Sequence, residues 1–309
     1  MNQASLQVDK LAHFLTDEII QAVGMPVSGR LHSILETILH LPTSRFARLA
    51  VDFDDKVAEA GFIEAVRWVL PNFVNRVNAW GVENIPKDGP LLVVSNHPGT
   101  CDSLVIIAQI QRPDLKVIAT GIPFTQGLHS TAQHLIYTAR KDIYARMKVV
   151  REAIRHLAEG GAVLIFPGGK IEPDPAILPG AEQELEHWSP SMELMLRRVP
   201  QAQVLVSIIS GVLSREWMRY PLVYIKKKTL DRQRIAEFLQ VIQWMVFPDS
   251  KKSDPLVSFS QPLLAADLVH NASRDMFSSL IARAKDLLEV HIELMDYSSS
   301  SHFSTPLGS

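Results

Sequence analysis

The sequence predicts an α/β protein, a mixed-sheet layer sandwich with flanking helices and an N-terminal helical bundle. Three observations predict this class. Short apolar runs of strand length alternate with helical patterns through the middle of the chain. Before about residue 80, apolar residues recur at spacings of three and four. The 309 residues are 47% hydrophobic and 21% charged, which is typical of a folded chain and argues against a disordered one.

The N-terminal segment is predicted to form several packed helices. Leu31, Ile34, Leu35 and Ile38 follow helical spacing, and glycine and proline residues divide the pattern into separate helices. We therefore predict a helical module over residues 1–80.

The following segment, residues 81–296, is predicted to be one α/β domain. Largely apolar segments of four to nine residues predict its strands, which are LLVVS, LKVIAT, LIYT, AVLIF, VLVSIIS and, later, PLVSFSQPL. Helical patterns lie between or after them, over residues 102–111, 143–159, 231–247 and 273–294. The serine-rich residues 297–309 are predicted to be a disordered tail.

Charge and cysteine content exclude several classes of function. The 31 basic and 33 acidic residues give a net charge of −2, so we expect no nucleic-acid partner. The single cysteine, Cys101, excludes an intramolecular disulfide and a cysteine zinc cage, and it indicates a reducing compartment. No signal peptide and no run of about 20 apolar residues is found. We expect a cytoplasmic location, which is compatible with a peripheral contact with a membrane.

The segment NHPGTCDS directly follows the first predicted strand. It places His97 at the strand's carboxyl end and Asp102 in the first turn of the next helix, and ligands bind at this edge of α/β sheets. Such a pair fits a general base oriented by a carboxylate. The structural alternative is a hydrogen-bonded loop histidine and a helix N-terminal acid. Cys101, inside the motif, is predicted to be a packing residue.

Two further pairs of His and Asp have the same spacing. His270 and His291 precede Asp275 and Asp296, but both pairs lie in the C-terminal helical region, where residues five apart do not share a helix face. We predict a solvated surface for them.

The second candidate segment is FPGGKIEPDP, which follows the strand AVLIF. Gly168 and Gly169 permit a close backbone approach and can present N–H donors to an anion, and Lys170 adds a positive charge. The spacing excludes a Walker loop. The structural alternative is a plain surface turn.

The third segment is YTARKD, where Arg140 and Lys141 follow the strand-like LIYT. Adjacent cations are most often a solvated face. All three segments end predicted strands, however, so one sheet edge can gather a base and several phosphate-binding cations.

These motifs resemble the glycerolipid acyltransferase superfamily, whose hallmark is Asn-His, four residues, then Asp, here NHPGTCD. The resemblance covers about residues 81–211 and includes GVENIP, YTARKD, FPGGKIEPDP and VLVSIIS in order. The segments PFTQGLHSTAQHLIYTARKD and GGKIEPDP look most like the soluble plastid-type glycerol-3-phosphate acyltransferases, which also carry an N-terminal helical bundle.

The resemblance implies a function and a set of site residues. His97 would be the general base that deprotonates an acceptor hydroxyl, and Asp102 would orient it. The donor would be acyl-CoA or an acyl carrier protein thioester. Arg140, Lys141 and Lys170, with the paired glycines, would bind the phosphate of a glycerol-type acceptor. No cofactor or metal is implied.

Glu172 departs from the family pattern, because it stands where the plastid enzymes carry a second basic residue. It should repel a phosphate unless it turns away, so a different alcohol or an amine stays open as the acceptor.

Two other functions also stay open. One is a thioesterase or hydrolase in which His97 activates water, and the other is a non-catalytic acyl-chain binding protein. A metal site built on His97, Cys101 and Asp102 lacks a second histidine at helical spacing.

Two other stretches are candidate partner surfaces. Residues 226–228 are three lysines near Arg232 and Arg234, and they suit an acidic carrier protein or anionic lipid, or are simply solvated. The apolar stretch 238–248 suits a membrane interface, a wall of an acyl groove or the core.

Overall fold

The fold is built around one mixed β-sheet. The structure, a computed structural model, describes residues 3–22, 24–25, 28–138, 143–270 and 275–300. Within these residues eight strands join in the order β1-β7-β6-β2-β5-β3-β4, and β8 pairs with β6. The strands are β1 (Asn78–Trp80), β2 (Leu91–Ser95), β3 (Lys116–Thr120), β4 (Leu135–Thr138), β5 (Ala162–Ile165), β6 (Gln203–Ser210), β7 (Leu256–Phe259) and β8 (Leu263–Leu264).

Strand β2 lies at the centre of the sheet and is parallel to both neighbours. Leu91 pairs with Ala162 of β5 and with Gln203 of β6, and Ser95 pairs with Ser207. Strands β7 and β8 run antiparallel to β6. The sheet is therefore mixed, as the sequence predicts.

The helices of the described residues cover both faces of the sheet, and three of them precede the first strand in the chain. They are α1 (Gln3–Ala22), α2 (Arg30–Ala60), α3 (Phe62–Val69), α4 (Asp102–Ile110), α5 (Pro123–Gln126), α6 (Ile143–Ala158), α7 (Ala181–Leu185), α8 (Ser191–Arg198), α9 (Arg215–Met218), α10 (Thr229–Val246), α11 (Ala265–His270) and α12 (Met276–Ser300). None of them is long and apolar enough to cross a membrane.

The two faces of β2 enter two different cores, because side chains alternate along a strand. Leu91 and Val93 pack in a core shared with α3, α4 and α10, whereas Leu92 and Val94 pack in a core shared with α6, α8 and α12. All five residues of β2 are buried. A strand that is buried on both faces has a nearly continuous apolar sequence, and this is why LLVVS can be recognised as a strand from the sequence.

The N-terminal helices pack directly against the sheet domain. Phe53 of α2 and Phe62 and Val66 of α3 belong to the same core as β2. Residues 78–80, predicted as part of the helical module, instead form the edge strand β1 parallel to β7. Three residues are too few to give a periodic signal. The division into domains stays a prediction.

The helix ends in the structure differ from the predicted ends by a few residues. Helix α4 ends at Ile110, since Gln111 takes a left-handed conformation with φ 52°. Residues 297–300, predicted as tail, extend α12 to Ser300, and residues 301–309 lie outside the described residues.

Candidate active site

The loop between β2 and α4 carries the NHPGTCD motif and is held at both ends. Asn96 is buried, and its side chain exchanges two hydrogen bonds with the main chain of Ile209 in β6, at 2.8 and 2.9 Å. Gly99 packs so closely that an added Cβ would lie 2.9 Å from Val212 and 3.2 Å from Glu237. The loop is therefore a rigid, close-packed turn in which glycine is required by space.

His97 and Asp102 form the predicted pair. Nδ1 of His97 lies 2.7 Å from Oδ2 of Asp102, and the N–H of Gly99 donates to the same oxygen at 3.0 Å. The carboxylate is fully buried, whereas the His97 side chain is 28% exposed. This geometry holds Nδ1 as the protonated nitrogen and leaves the lone pair of Nε2 able to accept a proton. Within the described residues, Nε2 has no hydrogen-bond partner.

Asp102 also tunes the basicity of the ring. Burial lowers the pKa of His97, but the negative charge of Asp102 and its hydrogen bond outweigh burial, so the net pKa lies above its ordinary value. A raised pKa makes Nε2 a stronger base, and the neutral form needed for proton abstraction becomes more populated as the pH rises.

The loop after β5 packs against His97 because β5 is the direct neighbour of β2. The Phe166 ring stacks on the imidazole with 4.5 Å between ring centroids and 27° between planes. The N–H of Glu172 donates to the carbonyl oxygen of His97 at 2.8 Å. The two candidate segments are thus brought together at one edge of the sheet, as the sequence analysis expects.

Glu172 turns into the protein and away from solvent. It is 1% exposed, and its Oε1 accepts a hydrogen bond from Nε1 of Trp188 at 3.1 Å. Burial raises the pKa of Glu172 to about 8, so the side chain is mostly uncharged at neutral pH. An uncharged, buried glutamate does not repel a phosphate as a surface carboxylate would.

The paired glycines have distinct structural roles in this loop. A Cβ on Gly168 would collide with Oε1 of Glu172, and Gly169 has a φ of 63°, which L-residues avoid. Lys170 forms an ion pair with Glu184 at 2.9 Å and is partly exposed. The loop lies beside His97, and its role in binding a phosphate stays a prediction.

Arg140 and Lys141 lie outside the described residues. The preceding strand β4 ends at Thr138 and is the third strand from β2 on the β5 side. With a strand spacing of roughly 4.8 Å, that end lies about 14 Å from the end of β2.

Helix α10 contributes two site residues that the sequence analysis missed. Nε2 of Gln233 donates to the carbonyl oxygens of Pro98 at 2.5 Å and Glu172 at 2.9 Å, which ties both loops to one helix. Glu237 accepts from the hydroxyl of Thr100 at 3.3 Å, and burial raises its pKa to about 8. No local motif marks them, because they lie more than 130 residues from the loop after β2 that both of them contact.

Cys101 is a packing residue in this loop, as predicted. Cys101 is buried, and burial raises the pKa of its thiol, so it packs as an unreactive group. In the part of the chain that the structure describes, no group of three His, Cys, Asp or Glu side chains is arranged to hold a metal ion.

An apolar cavity of about 260 Å³ lies beside the loop. Thr100 and Cys101 of the loop line it, and helices α2, α3, α4 and α10 enclose it together with β3. Val241 and Trp244 are part of the wall, so the apolar stretch 238–248 contributes to a groove. Further lining side chains are aromatic or aliphatic, among them Phe46, Phe53, Phe73, Leu104 and Phe124.

Comparison with known families agrees with this site. Residues 76–196 match the protein-family model described as Acyltransferase. The matched segment contains His97, Asp102 and the loop through Lys170. The match confirms the predicted acyltransferase class for the segment that carries the candidate site.

Individual relatives are less informative. The chain is 34% identical over 139 residues to the uncharacterized protein Rv0502 of Mycobacterium tuberculosis and to the uncharacterized protein Mb0514 of Mycobacterium bovis. These matches cover 40% of this chain and 37% of each relative's length. Among solved structures, the chain is similar to the 1-acyl-sn-glycerophosphate (LPA) acyltransferase PlsC of Thermotoga maritima. The TM-score is 0.42 and the identity 17%, over 81% of each chain.

Proposed function

We propose that the protein is an acyltransferase that moves a fatty acyl group from a thioester to the hydroxyl of a glycerol-3-phosphate-like acceptor. The observation that carries the proposal is the 2.7 Å pair of His97 Nδ1 and Asp102 Oδ2, in a loop whose Thr100 and Cys101 line an apolar cavity. The family match of residues 76–196 supports the reaction class.

The proposed reaction uses one base and one thioester. Nε2 of His97 takes the proton of the acceptor hydroxyl, and the hydroxyl oxygen attacks the thioester carbonyl carbon. The tetrahedral intermediate then loses the thiolate, the C–S bond breaks, and the imidazolium returns its proton to the sulfur. Asp102 holds the ring in the required tautomer and stabilises the imidazolium, so it is a positioning residue.

The apolar cavity is the proposed site of the acyl chain. It is lined by aromatic and aliphatic side chains, and each methylene buried there stabilises the bound donor by about 0.8 kcal/mol. Because Thr100 and Cys101 belong to the same turn as His97, a chain in this cavity brings its thioester to the base.

The acceptor is proposed to carry a phosphate. Lys170 belongs to the loop whose Phe166 and Glu172 contact His97, and the buried, mostly uncharged Glu172 offers no opposing surface charge, which supports this proposal. Arg140 and Lys141 are proposed to complete the phosphate site. A cytoplasmic location with peripheral membrane contact is proposed for the protein, since a phosphorylated acceptor is soluble and its acylated product is a lipid.

The test is an acyl-transfer assay with purified protein. Radiolabelled acyl-CoA and acyl carrier protein thioester are each incubated with a panel of acceptors headed by glycerol-3-phosphate and its lysolipid product, and products are identified by mass spectrometry. We expect an acylated product that forms only when an acceptor is present.

The alternatives give different products in the same assay. A thioesterase would release free fatty acid at a rate that no acceptor changes. A non-catalytic binding protein would hold the thioester without consuming it. Either result would contradict the proposed acyl transfer.

A further inference from the structure

A second cavity, of about 340 Å³, is lined in part by Ile177 and Leu178, which belong to the segment that follows Glu172. Three arginines line it: Arg215 at the start of α9, Arg219 after this helix, and Arg232 in α10. The remaining wall is formed by Ile177, Leu178, Met218, Tyr224 and Thr229. No acidic side chain is found among these lining residues.

Two of the three arginine side chains, Arg215 and Arg232, are positioned by hydrogen bonds to the main chain. Nη2 of Arg215 donates to the carbonyl oxygen of Ala176 at 2.7 Å, and Nε of Arg232 donates to that of Lys226 at 2.7 Å. Over the described ranges, none of the three guanidinium groups forms an ion pair with a carboxylate. Like charges that converge on one cavity favour an anion, and the guanidinium fork matches a phosphate.

The cavity also offers a surface for a flat ring. The Arg232 guanidinium lies over one face of the Tyr224 ring, 4.8 Å from its centroid, and Tyr224 is 57% exposed. Met218 and Ile177 add apolar wall. Phosphate-binding arginines beside an aromatic side chain suit a nucleotide, and a concave site of this volume suits a small molecule better than a protein surface or a bilayer.

The cavity lined by the three arginines is joined to His97 by short segments of chain. Glu172 is hydrogen-bonded to the His97 carbonyl, and Ala176, four residues on, is hydrogen-bonded to Arg215. Five extended residues span at most about 18 Å. On the other side, Gln233, which contacts Pro98, directly follows Arg232. A ligand that reaches both places needs a nucleotide at one end and a thioester at the other.

We infer that this cavity binds the adenosine-phosphate end of an acyl-CoA donor, through Arg215, Arg219 and Arg232. The inference rests on the proposed function, because it names the donor for the same reaction. It selects coenzyme A over a carrier protein, since a carrier protein brings no nucleotide to the cavity.

The test has a binding arm that needs no turnover. Adenosine 3′,5′-bisphosphate is titrated into the full-length protein by calorimetry, with Arg219→Gln and Arg232→Gln as variants and Arg198→Gln as the control. Arg198 is an exposed arginine on α8, a helix that packs in the core formed with α6 and α12 and does not line the cavity. We expect about 10-fold weaker binding in the two cavity variants, typical of one lost charge-assisted hydrogen bond, and unchanged binding in the control.

The kinetic arm compares two donors. We expect Arg219→Gln to raise the KM for acyl-CoA about 10-fold more than the KM for the matching N-acetylcysteamine thioester, which has no nucleotide. Bisphosphate binding that is absent, or equal in wild type and cavity variants, overturns the inference. Loss of binding to anionic vesicles with unchanged nucleotide binding also overturns it, and would assign the cavity to lipid headgroups.

The two proposals fail differently. If the wild type transfers no acyl group from either thioester, the proposed function fails. Arginine-dependent binding of the bisphosphate would still support a nucleotide site in that case.

Discussion

The main-chain N–H of Glu172 donates to the carbonyl oxygen of His97 across 2.8 Å, which fastens the loop after β5 to the loop after β2. Gln233 of α10 contacts the main chain of both loops. His97, the proposed base, is therefore held by three distant parts of the chain, and its Nε2 is the ring nitrogen that Asp102 does not contact. A rigid frame of this kind keeps a catalytic group in its productive orientation.

Asp102 controls both the orientation and the pKa of His97. We expect Asp102→Asn to lower kcat/KM by about 100-fold or more, because the amide cannot stabilise the imidazolium. The variant should also move the acid limb of the pH–rate profile to lower pH, because the charge that raises the His97 pKa is lost. Profiles from pH 5 to 9 check both effects, with the exposed Asp88→Asn as control. An unshifted limb would argue against this role.

The folded protein is predicted to be most stable when Glu172 is protonated. Burial raises the pKa of Glu172 from 4.5 to about 8, so its contribution to the free energy of unfolding is fully present below pH 4.5 and is lost as the pH rises through 8. We expect Glu172→Gln to unfold at higher urea concentration than wild type at pH 8, with an advantage on the order of 1 kcal/mol or more that grows from pH 4.5 upward. The exposed Glu289→Gln should show no such trend.

His291 provides the opposite pH dependence. Its buried ring lies between the hydroxyls of Ser258 and Ser210, at 2.8 and 2.7 Å, and burial lowers its pKa to about 3. Stability is therefore lost as the pH falls from 6.5 towards 3, by about 1.4 kcal/mol per unit at most. Urea unfolding between pH 4 and 7 should be less pH-dependent in His291→Gln. The exposed His187→Gln serves as control, and equal slopes in wild type and His291→Gln would refute the prediction.

The apolar cavity should set the acyl chain length. Ala119 of β3 lines the cavity, so Ala119→Phe should shorten it. We expect kcat/KM for a long-chain thioester to fall by about 10- to 100-fold, the value of two to three methylenes, and a short-chain thioester to be less affected. Ala60→Phe, at the exposed end of α2, is the matched control. Equal losses with both chain lengths would place the acyl group elsewhere.

The sequence predicted the parts of this fold that have strong local signals. Strands β2 and β5 are short apolar runs, and β6 is a longer one interrupted by Ser207. The motif after β2 holds His97 and Asp102 at a spacing that the turn at Gly99 brings into contact. Strand β1 was missed because it has only three residues.

The long-range parts of the site could not be predicted. Glu237 and Gln233 reach the loop from α10, and helical periodicity says only that they share a face, not what that face contacts. The prediction of a solvated surface at His291 was wrong, because α12 packs this face onto β6 and β7, where two serines pair with the ring. The side chain of His270 lies outside the described residues.

The measurement that tests the central claim most directly is acyl transfer by His97→Ala and His97→Gln, with the product identified in each case. Both variants should keep the wild-type melting temperature within a few degrees, because the His97 side chain is partly exposed. We predict that both lose acylated product by about 100- to 10,000-fold, as expected for a missing general base, while His187→Ala keeps it. Wild-type turnover in folded His97→Ala would contradict the account.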